Sequence, residues 1–141
     1  MLQLIVFLTT FALLMFSLVF DWCVQTVWES TNKFKDPGAR AVHSFIYATL
    51  TAILLISFPF YKFGADNITW IWGALLLSHY VIDSRKAVMW WMVHVKRMPK
   101  KDVYPGPNGE YPPSWWLQIG IDQCFHITVN FILAIVMASF A

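Results

Sequence analysis

The stretch LQLIVFLTTFALLMFSLVF, residues 2–20, contains no charged side chain and is nearly as long as a membrane-spanning helix. Three similar runs follow at residues 41–60, 68–82 and 115–141. Because about 20 residues are needed to cross the hydrocarbon core, the run at 68–82 reaches that length only if its helix continues to Lys86. The sequence therefore predicts an all-α membrane protein, a four-transmembrane-helix bundle with helices at about 2–29, 41–60, 68–95 and 114–140 in a single domain, 1–141.

The composition of the whole chain agrees with a location in a bilayer. Of its 141 residues, 58% are hydrophobic and 13% are charged, and the mean hydropathy is +0.56. Soluble domains carry about 25% charged residues, so this balance excludes an ordinary soluble protein. The segment AVMWWMVHVKRMPKK, residues 87–101, joins a short apolar stretch to basic residues. This favours either a short interfacial helix between helices three and four or a cytoplasmic extension of helix three.

Basic residues fall almost entirely on one side of this predicted bundle. Nine of the ten Lys and Arg residues lie in the loops after helices one and three, and only Lys62 lies in the loop after helix two. The positive-inside rule makes the basic side cytoplasmic. We therefore expect a multi-pass protein of the bacterial inner (plasma) membrane with both termini periplasmic. Its expected partner is the lipid bilayer and not nucleic acid, because basic loops beside membrane helices attract anionic headgroups.

Polar side chains recur at steps of four residues along the apolar helices. Residues at this spacing share one face of a helix, so each helix presents a polar stripe that a four-helix bundle can turn inward. Helix two contributes His43, Tyr47 and Thr51, and helix three contributes His79 and Asp83. The longer stripes are Ser17, Asp21, Gln25 and Glu29 in helix one and Gln118, Asp122, His126 and Asn130 in helix four.

Six ionisable residues of these stripes are expected to converge near the cytoplasmic leaflet. Ionisable groups are costly inside a membrane and therefore indicate function. Imidazole and carboxylate are the usual ligands of zinc and of redox-active divalent metals, so we predict a site for one or two divalent ions, zinc or manganese-like. The predicted ligands are Asp21, His43, His79, Asp83, Asp122 and His126. Asp21 and Asp122 are also the predicted catalytic residues, because a carboxylate beside a metal can act as a general base.

Other polar residues near this cluster are given supporting roles. Gln25, Gln123 and Lys86 are expected to hold the ligands by hydrogen bonds. Arg85 and Lys86 are expected to bind the anionic headgroup of a substrate. For any one of these polar residues alone, helix packing is the alternative, because polar side chains in membrane bundles hydrogen-bond across helices.

Four motifs carry these residues in order: DWCVQ at 21–25, AVHSF at 41–45, SHYVIDSRK at 78–86 and IDQCFH at 121–126. They resemble the motifs of the bacterial and phage membrane proteins called domain of unknown function 3307. The resemblance extends over nearly the whole chain and implies a small polytopic membrane protein, but names no reaction. Its matched positions are Asp21, Gln25, His43, His79, Asp83, Lys86, Asp122, Gln123 and His126. This chain has Ser17 where family members usually carry a histidine.

More distantly, the His and Asp pattern is similar to that of inner-membrane proteins described as metal-dependent hydrolases. The leading hypothesis is accordingly a metal-dependent hydrolase, open to the cytoplasmic leaflet, that cleaves a phosphoester or acyl bond of a lipid-like substrate. The alternative is a non-enzymatic accessory or structural subunit of a membrane assembly, or a phage envelope-modifying factor, in which the polar cluster serves helix packing. A homo-oligomer or a larger membrane complex is compatible with both. Haem ligation by paired histidines is the weakest hypothesis, because a porphyrin needs no carboxylates.

Overall fold

The computed structural model describes residues 2–57, 65–106 and 108–139, and in these ranges every regular element is a helix. The predicted all-α class is therefore confirmed. The described helices are α1 (Leu2–Cys23), α2 (Val27–Asn32), α3 (Pro37–Ile56), α4 (Ala65–Ile82), α5 (Lys86–His94), α6 (Lys100–Val103) and α7 (Trp115–Ser139).

Three of the described helices are long and apolar enough to cross a membrane, namely α1, α3 and α7. Helix α4 has a shorter apolar segment, Asn67–Ile82. Large apolar side chains point outward from these helices, and Leu8 and Phe16 are each 54% exposed. Apolar surface of this extent is unusual on a soluble monomer and agrees with the predicted membrane location.

The predicted helix at 2–29 is interrupted near its end. Helix α1 ends at Cys23, and α2 begins after Thr26 with a capping box. The backbone N–H of Glu29 donates to the Thr26 hydroxyl at 3.2 Å, and the Thr26 N–H donates to the Glu29 carboxylate at 2.6 Å. Burial would raise the pKa of Glu29, but these hydrogen bonds outweigh it and hold the pKa below its ordinary value. The T-x-x-E signature at 26–29 thus starts a new helix.

We expect Thr26→Val to lower the free energy of unfolding by about 1 kcal/mol, the usual effect of losing an N-cap. Valine keeps the branched shape but removes the hydroxyl that accepts the Glu29 N–H. The measurement is denaturant unfolding of the detergent-solubilised protein. The control is Thr128→Val, because the Thr128 hydroxyl is exposed and donates only to the Cys124 carbonyl within α7. Equal losses in the two variants would contradict the capping role.

The predicted helix at 68–95 is divided into α4 and α5. Arg85 has a φ of 55°, in the left-handed region, so the helical hydrogen-bond ladder cannot continue through it. The alternative in which segment 87–101 extends helix three is therefore wrong. Helix α5 is a separate helix, and its Val88 and Met92 pack with Val103 and with Ile121 and Phe125 of α7. Its location at the membrane interface stays a prediction.

The remaining two long helices lie close to their predicted positions. Helix α3 begins at Pro37, four residues before the predicted start, because the Asp36 carboxylate caps it by accepting the Gly38 N–H at 2.8 Å. The predicted end of this helix, at 58–60, lies outside the described residues. Helix α7 agrees with the prediction to within one residue at each end.

The four long helices share one apolar core. Helix α1 packs against α3 and α7, and α4 packs against the same two helices. Leu14, Leu55, Leu75 and Met137, one from each long helix, are almost fully buried in this core. The polar stripes face inward as predicted, and the buried Asn130 amide donates to the Leu14 carbonyl at 3.0 Å, which joins α7 to α1. The bundle therefore holds its polar groups between the helices.

Candidate metal site

The predicted ligands lie at the end of the bundle where α1 and α4 end and α3 begins. All six residues are buried, with exposed fractions of 6% or less. Each is placed by a long helix: Asp21 by α1, His43 by α3, His79 and Asp83 by α4 and the residue after it, and Asp122 and His126 by α7. The structure thus brings together side chains that are up to 105 positions apart in the sequence.

Asp21, His43 and His79 form a first group of donors whose ligand atoms lie within 4.8 Å of one another, and Asp83 lies close to both histidines. The Nε2 of His43 lies 2.7 Å from Asp21 Oδ1 and 3.2 Å from Asp83 Oδ2. The Nε2 of His79 lies 3.4 Å and 3.3 Å from the same two oxygens, and the two nitrogens are 3.1 Å apart. Donors at about 2.1 Å from a tetrahedral ion are separated from one another by roughly 3.4 Å. Four of these five spacings fit such an ion, and the contact between Asp21 and His43 is shorter.

Hydrogen bonds account for only part of this arrangement. Asp21 Oδ1 and both carboxylate oxygens of Asp83 have no partner in hydrogen-bond geometry among the described residues. The two imidazole nitrogens that face each other can share at most one proton. Buried carboxylates without such partners are strongly unfavourable unless a cation offsets them. The donor set is therefore suited to a positive charge at its centre.

A second group of donors shares His79 with the first. It consists of His79, Asp83 and His126, whose ligand atoms lie within 4.8 Å of one another. The His126 Nδ1 lies 3.0 Å from the Asp122 carbonyl, and because a carbonyl only accepts, Nδ1 must carry the proton. Its buried Nε2 then presents a lone pair toward Asp83 Oδ1, at 3.8 Å. Asp122 lies on the Nδ1 side of His126 and belongs to neither group.

Lys33 enters the cluster, although the sequence analysis counted it only among the basic loop residues. Its side chain is buried, and its Nζ lies 3.6 Å from Asp21 Oδ1 and 3.3 Å from Asp83 Oδ2. The same Nζ lies 3.0 Å from His43 Nε2. His43 Nε2 also lies 2.7 Å from Asp21 Oδ1, so the ammonium group and this carboxylate both approach the nitrogen that would bind a metal. Lys33 thus supplies a cation from within the chain.

Ser17, where the chain differs from the motifs it resembles, lies beside an aromatic ring that contacts the cluster. The Ser17 hydroxyl lies 3.0 Å from the Tyr47 hydroxyl and donates to the Leu14 carbonyl at 2.7 Å. The Tyr47 ring in turn stacks on the His79 ring, with centroids 4.0 Å apart and planes 16° apart. Ser17 therefore supports a residue that orients His79.

A cavity of about 580 Å³ opens beside the cluster. The two predicted catalytic residues, Asp21 and Asp122, both line it, and so does Lys33. Its other walls come from α2, the start of α5, the segment 104–112 and the start of α7. A molecule in this cavity would reach both carboxylates.

The residues with predicted supporting roles lie around this cavity, with one exception. Gln25 and Gln123 line its wall, and the Gln25 Oε1 is buried without a hydrogen-bond partner among the described residues. Arg85 also lines it and is buried. Lys86 is exposed and does not line the cavity, because the left-handed turn at Arg85 directs the two residues differently.

Lys33 is the site residue that the sequence analysis missed, and a signal for it existed. It continues the step-of-four series that begins at Ser17 and passes through Asp21, Gln25 and Glu29. The series survives the break between α1 and α2, so the same face of the chain remains directed toward the bundle interior. Membrane topology alone explains why a basic residue such as Lys33 follows helix one, so its positive charge gives no separate reason to place Lys33 in a site.

No family model, curated protein or solved structure matches this chain. The resemblance drawn from the four motifs therefore stays a prediction, and the function is inferred from the geometry of the site.

Proposed function

We propose that this chain is a polytopic inner-membrane protein that holds one or two divalent ions and hydrolyses a phosphoester or acyl bond of a lipid-like substrate. The observation that carries this proposal is the presence of two buried groups of three donors, one of Asp21, His43 and His79 and one of His79, Asp83 and His126, because three protein ligands with an open position make a catalytic zinc site. The substrate class is supported by the cavity that opens beside these donors.

In the proposed topology, α4 is the fourth membrane span. Its 18 residues extend about 27 Å, close to the 30 Å thickness of a hydrocarbon core. It packs between α3 and α7, both of which are long enough to span. The basic residues then lie on the cytoplasmic side, with both termini periplasmic and α5 at the interface.

The proposed chemistry divides the work among residues of this chain. A bound divalent ion would supply a Lewis acid that polarises the phosphoryl or carbonyl oxygen. Asp21, His43 and His79 would bind the ion in one donor group, and His79, Asp83 and His126 would bind it in the other. Asp122 lines the cavity but lies outside both donor groups, so it is suited to take the proton from the attacking water.

Elemental analysis tests the metal site. The detergent-solubilised protein is stripped with a chelator, reloaded with zinc or manganese, and passed through a desalting column. We expect one or two ions to remain per chain. A wild-type protein that retains no stoichiometric metal would overturn the proposal.

We expect Asp122→Asn to lower kcat for a chromogenic phosphodiester or acyl ester by about 10²–10⁴-fold, because asparagine keeps the shape but cannot accept a proton. The metal content should stay at the wild-type value, since Asp122 belongs to neither donor group. The matched control is Glu110→Gln, which makes the same change from carboxylate to amide at another residue of the cavity lining, and its turnover should equal that of the wild type. Unchanged turnover in Asp122→Asn would remove this residue from the reaction.

A second function is favoured by the position of Lys33. Its ammonium group lies within 3.6 Å of both carboxylates and already offsets part of their charge. In this alternative the cluster is a structural network that fixes helix packing in an accessory or structural subunit of a membrane assembly. The two functions differ in one measurable respect, because the structural network requires no metal.

A further inference from the structure

The cavity beside the metal site contains a charged side chain that the proposed hydrolysis does not use. Arg85 lines the cavity, yet only 8% of its surface is exposed. Its guanidinium carbon lies 3.6 Å from the centre of the Phe34 ring and 4.2 Å from that of the Trp115 ring. These two aromatic rings cover the guanidinium and restrict its movement, while the N–H edge of the group stays available.

The polar edge of Arg85 has no partner that explains its burial. Its Nε is buried without a hydrogen-bond partner among the described residues, and none of the ion pairs in that part of the chain includes Arg85. Asp122 and Asp83 act on Arg85 only from a longer distance and favour its charged form, against the effect of burial, which lowers its pKa. A buried guanidinium without a hydrogen-bonded partner is costly, so this group is suited to receive an anion.

The rest of the cavity is of mixed character. Apolar side chains of Trp22, Met89 and Ile119 form part of the lining. The acidic residues on the lining are Asp21 and Asp122, which belong to the proposed reaction centre, and Glu110, whose Oε1 receives the Asn108 amide at 3.3 Å. A ligand with one anionic group and an apolar portion satisfies both kinds of wall.

We propose that this cavity binds the oxyanion head of an amphiphile, with Arg85 as the anchor that places the head beside the His/Asp cluster. The proposal deepens the proposed function by naming the substrate class, and it rests on that function only for the reaction that follows binding. It assigns the anchoring role to Arg85, because the other basic residues on the lining are Lys33, which is paired with Asp21 and Asp83, and Lys35, which is exposed.

Binding is measured on the full chain in a neutral maltoside detergent with excess chelator, so that metal plays no part. The probes are dodecyl phosphate, dodecyl glucoside as the uncharged match, and inorganic phosphate as the water-soluble source of the same anion. We expect saturable binding of dodecyl phosphate by calorimetry, with a concentration-dependent rise in Tm. Dodecyl glucoside should produce neither effect, and inorganic phosphate should bind at least about tenfold more weakly than dodecyl phosphate.

Variants then assign the binding to one residue. Arg85→Gln should weaken dodecyl phosphate binding by at least about tenfold, because a charge-assisted, bidentate contact is lost. Arg85→Lys keeps the charge but not the planar stacked group, so its affinity for dodecyl phosphate should lie between those of the wild type and Arg85→Gln. The matched control is Arg97→Gln, since Arg97 has the same φ of 55° but is exposed outside the cavity, and its affinity should equal that of the wild type.

Three results would overturn the proposal. Equal binding of dodecyl phosphate and dodecyl glucoside by the wild type would show that no anion is recognised, and this comparison requires no variant to fold. If inorganic phosphate binds as tightly as dodecyl phosphate, the alkyl chain contributes nothing and the ligand is not an amphiphile. If a folded Arg85→Gln or Arg85→Lys protein binds dodecyl phosphate with wild-type affinity, Arg85 is not the anchor. Because the titrations contain chelator, a failure of metal retention leaves all three results interpretable.

Discussion

His79→Ala is expected to lower the affinity for a divalent ion by at least about a hundredfold, since even losing a group that only supports a ligand costs 10–100-fold. His79 belongs to both donor groups, so its removal affects either ion. Its Nε2 lies 3.1–3.4 Å from His43 Nε2, Asp21 Oδ1 and Asp83 Oδ2. Stacking on Tyr47 further orients the ring. The measurement is a competition titration of metal against a chromogenic chelator.

The control for this variant is His94→Ala. His94 is exposed on α5, and its ring lies against Trp90 with centroids 5.2 Å apart, outside the cluster. Its replacement should leave the affinity unchanged. If His94→Ala weakens binding as much as His79→Ala does, the bound metal is not in the cluster. If neither variant changes the affinity for the divalent ion, the two donor groups do not bind the metal.

Lys33→Met is expected to lower the free energy of unfolding by about 3–5 kcal/mol in the presence of chelator, the usual effect of removing one partner of a buried ion pair. Methionine retains most of the side-chain volume but leaves the carboxylates of Asp21 and Asp83 without the ammonium group that lies 3.6 Å and 3.3 Å from them. Added zinc or manganese should restore most of the lost stability, because the ion offsets the same charges. Denaturant unfolding with and without metal measures both effects.

Lys35→Met provides the comparison for this experiment. Lys35 is exposed and lies two residues from Lys33, so its loss should change stability by less than about 0.5 kcal/mol. The unfolding measurements with added metal distinguish the two proposed functions. Restoration by metal in Lys33→Met supports a cation site at the centre of the cluster. A loss of stability that no metal restores, together with a metal-free wild type, would favour the structural network.

Much of the candidate site could be predicted because its residues follow a short-range pattern. Asp122 and His126 share one face of α7, and His79 and Asp83 lie one turn apart, whatever the helices pack against. Signals for the helix breaks were also local, since T-x-x-E at 26–29 is a capping box and D-P at 36–37 is a helix start. These signals were outweighed by the apolar runs, which predicted longer helices.

The amino-acid sequence by itself determined that the chain is helical, which segments are apolar enough for a membrane, and which faces are polar, because these properties depend on residues within one or two turns. Only the tertiary structure decided that Lys33 enters the cluster, that Arg85 is enclosed by Phe34 and Trp115, and that Lys86 is not. A lysine ammonium group gives up its contacts with water for two carboxylates only where the packed helices place both carboxylates close to it. Such distances depend on helix register and on the turn at Arg85, which no spacing along the sequence encodes.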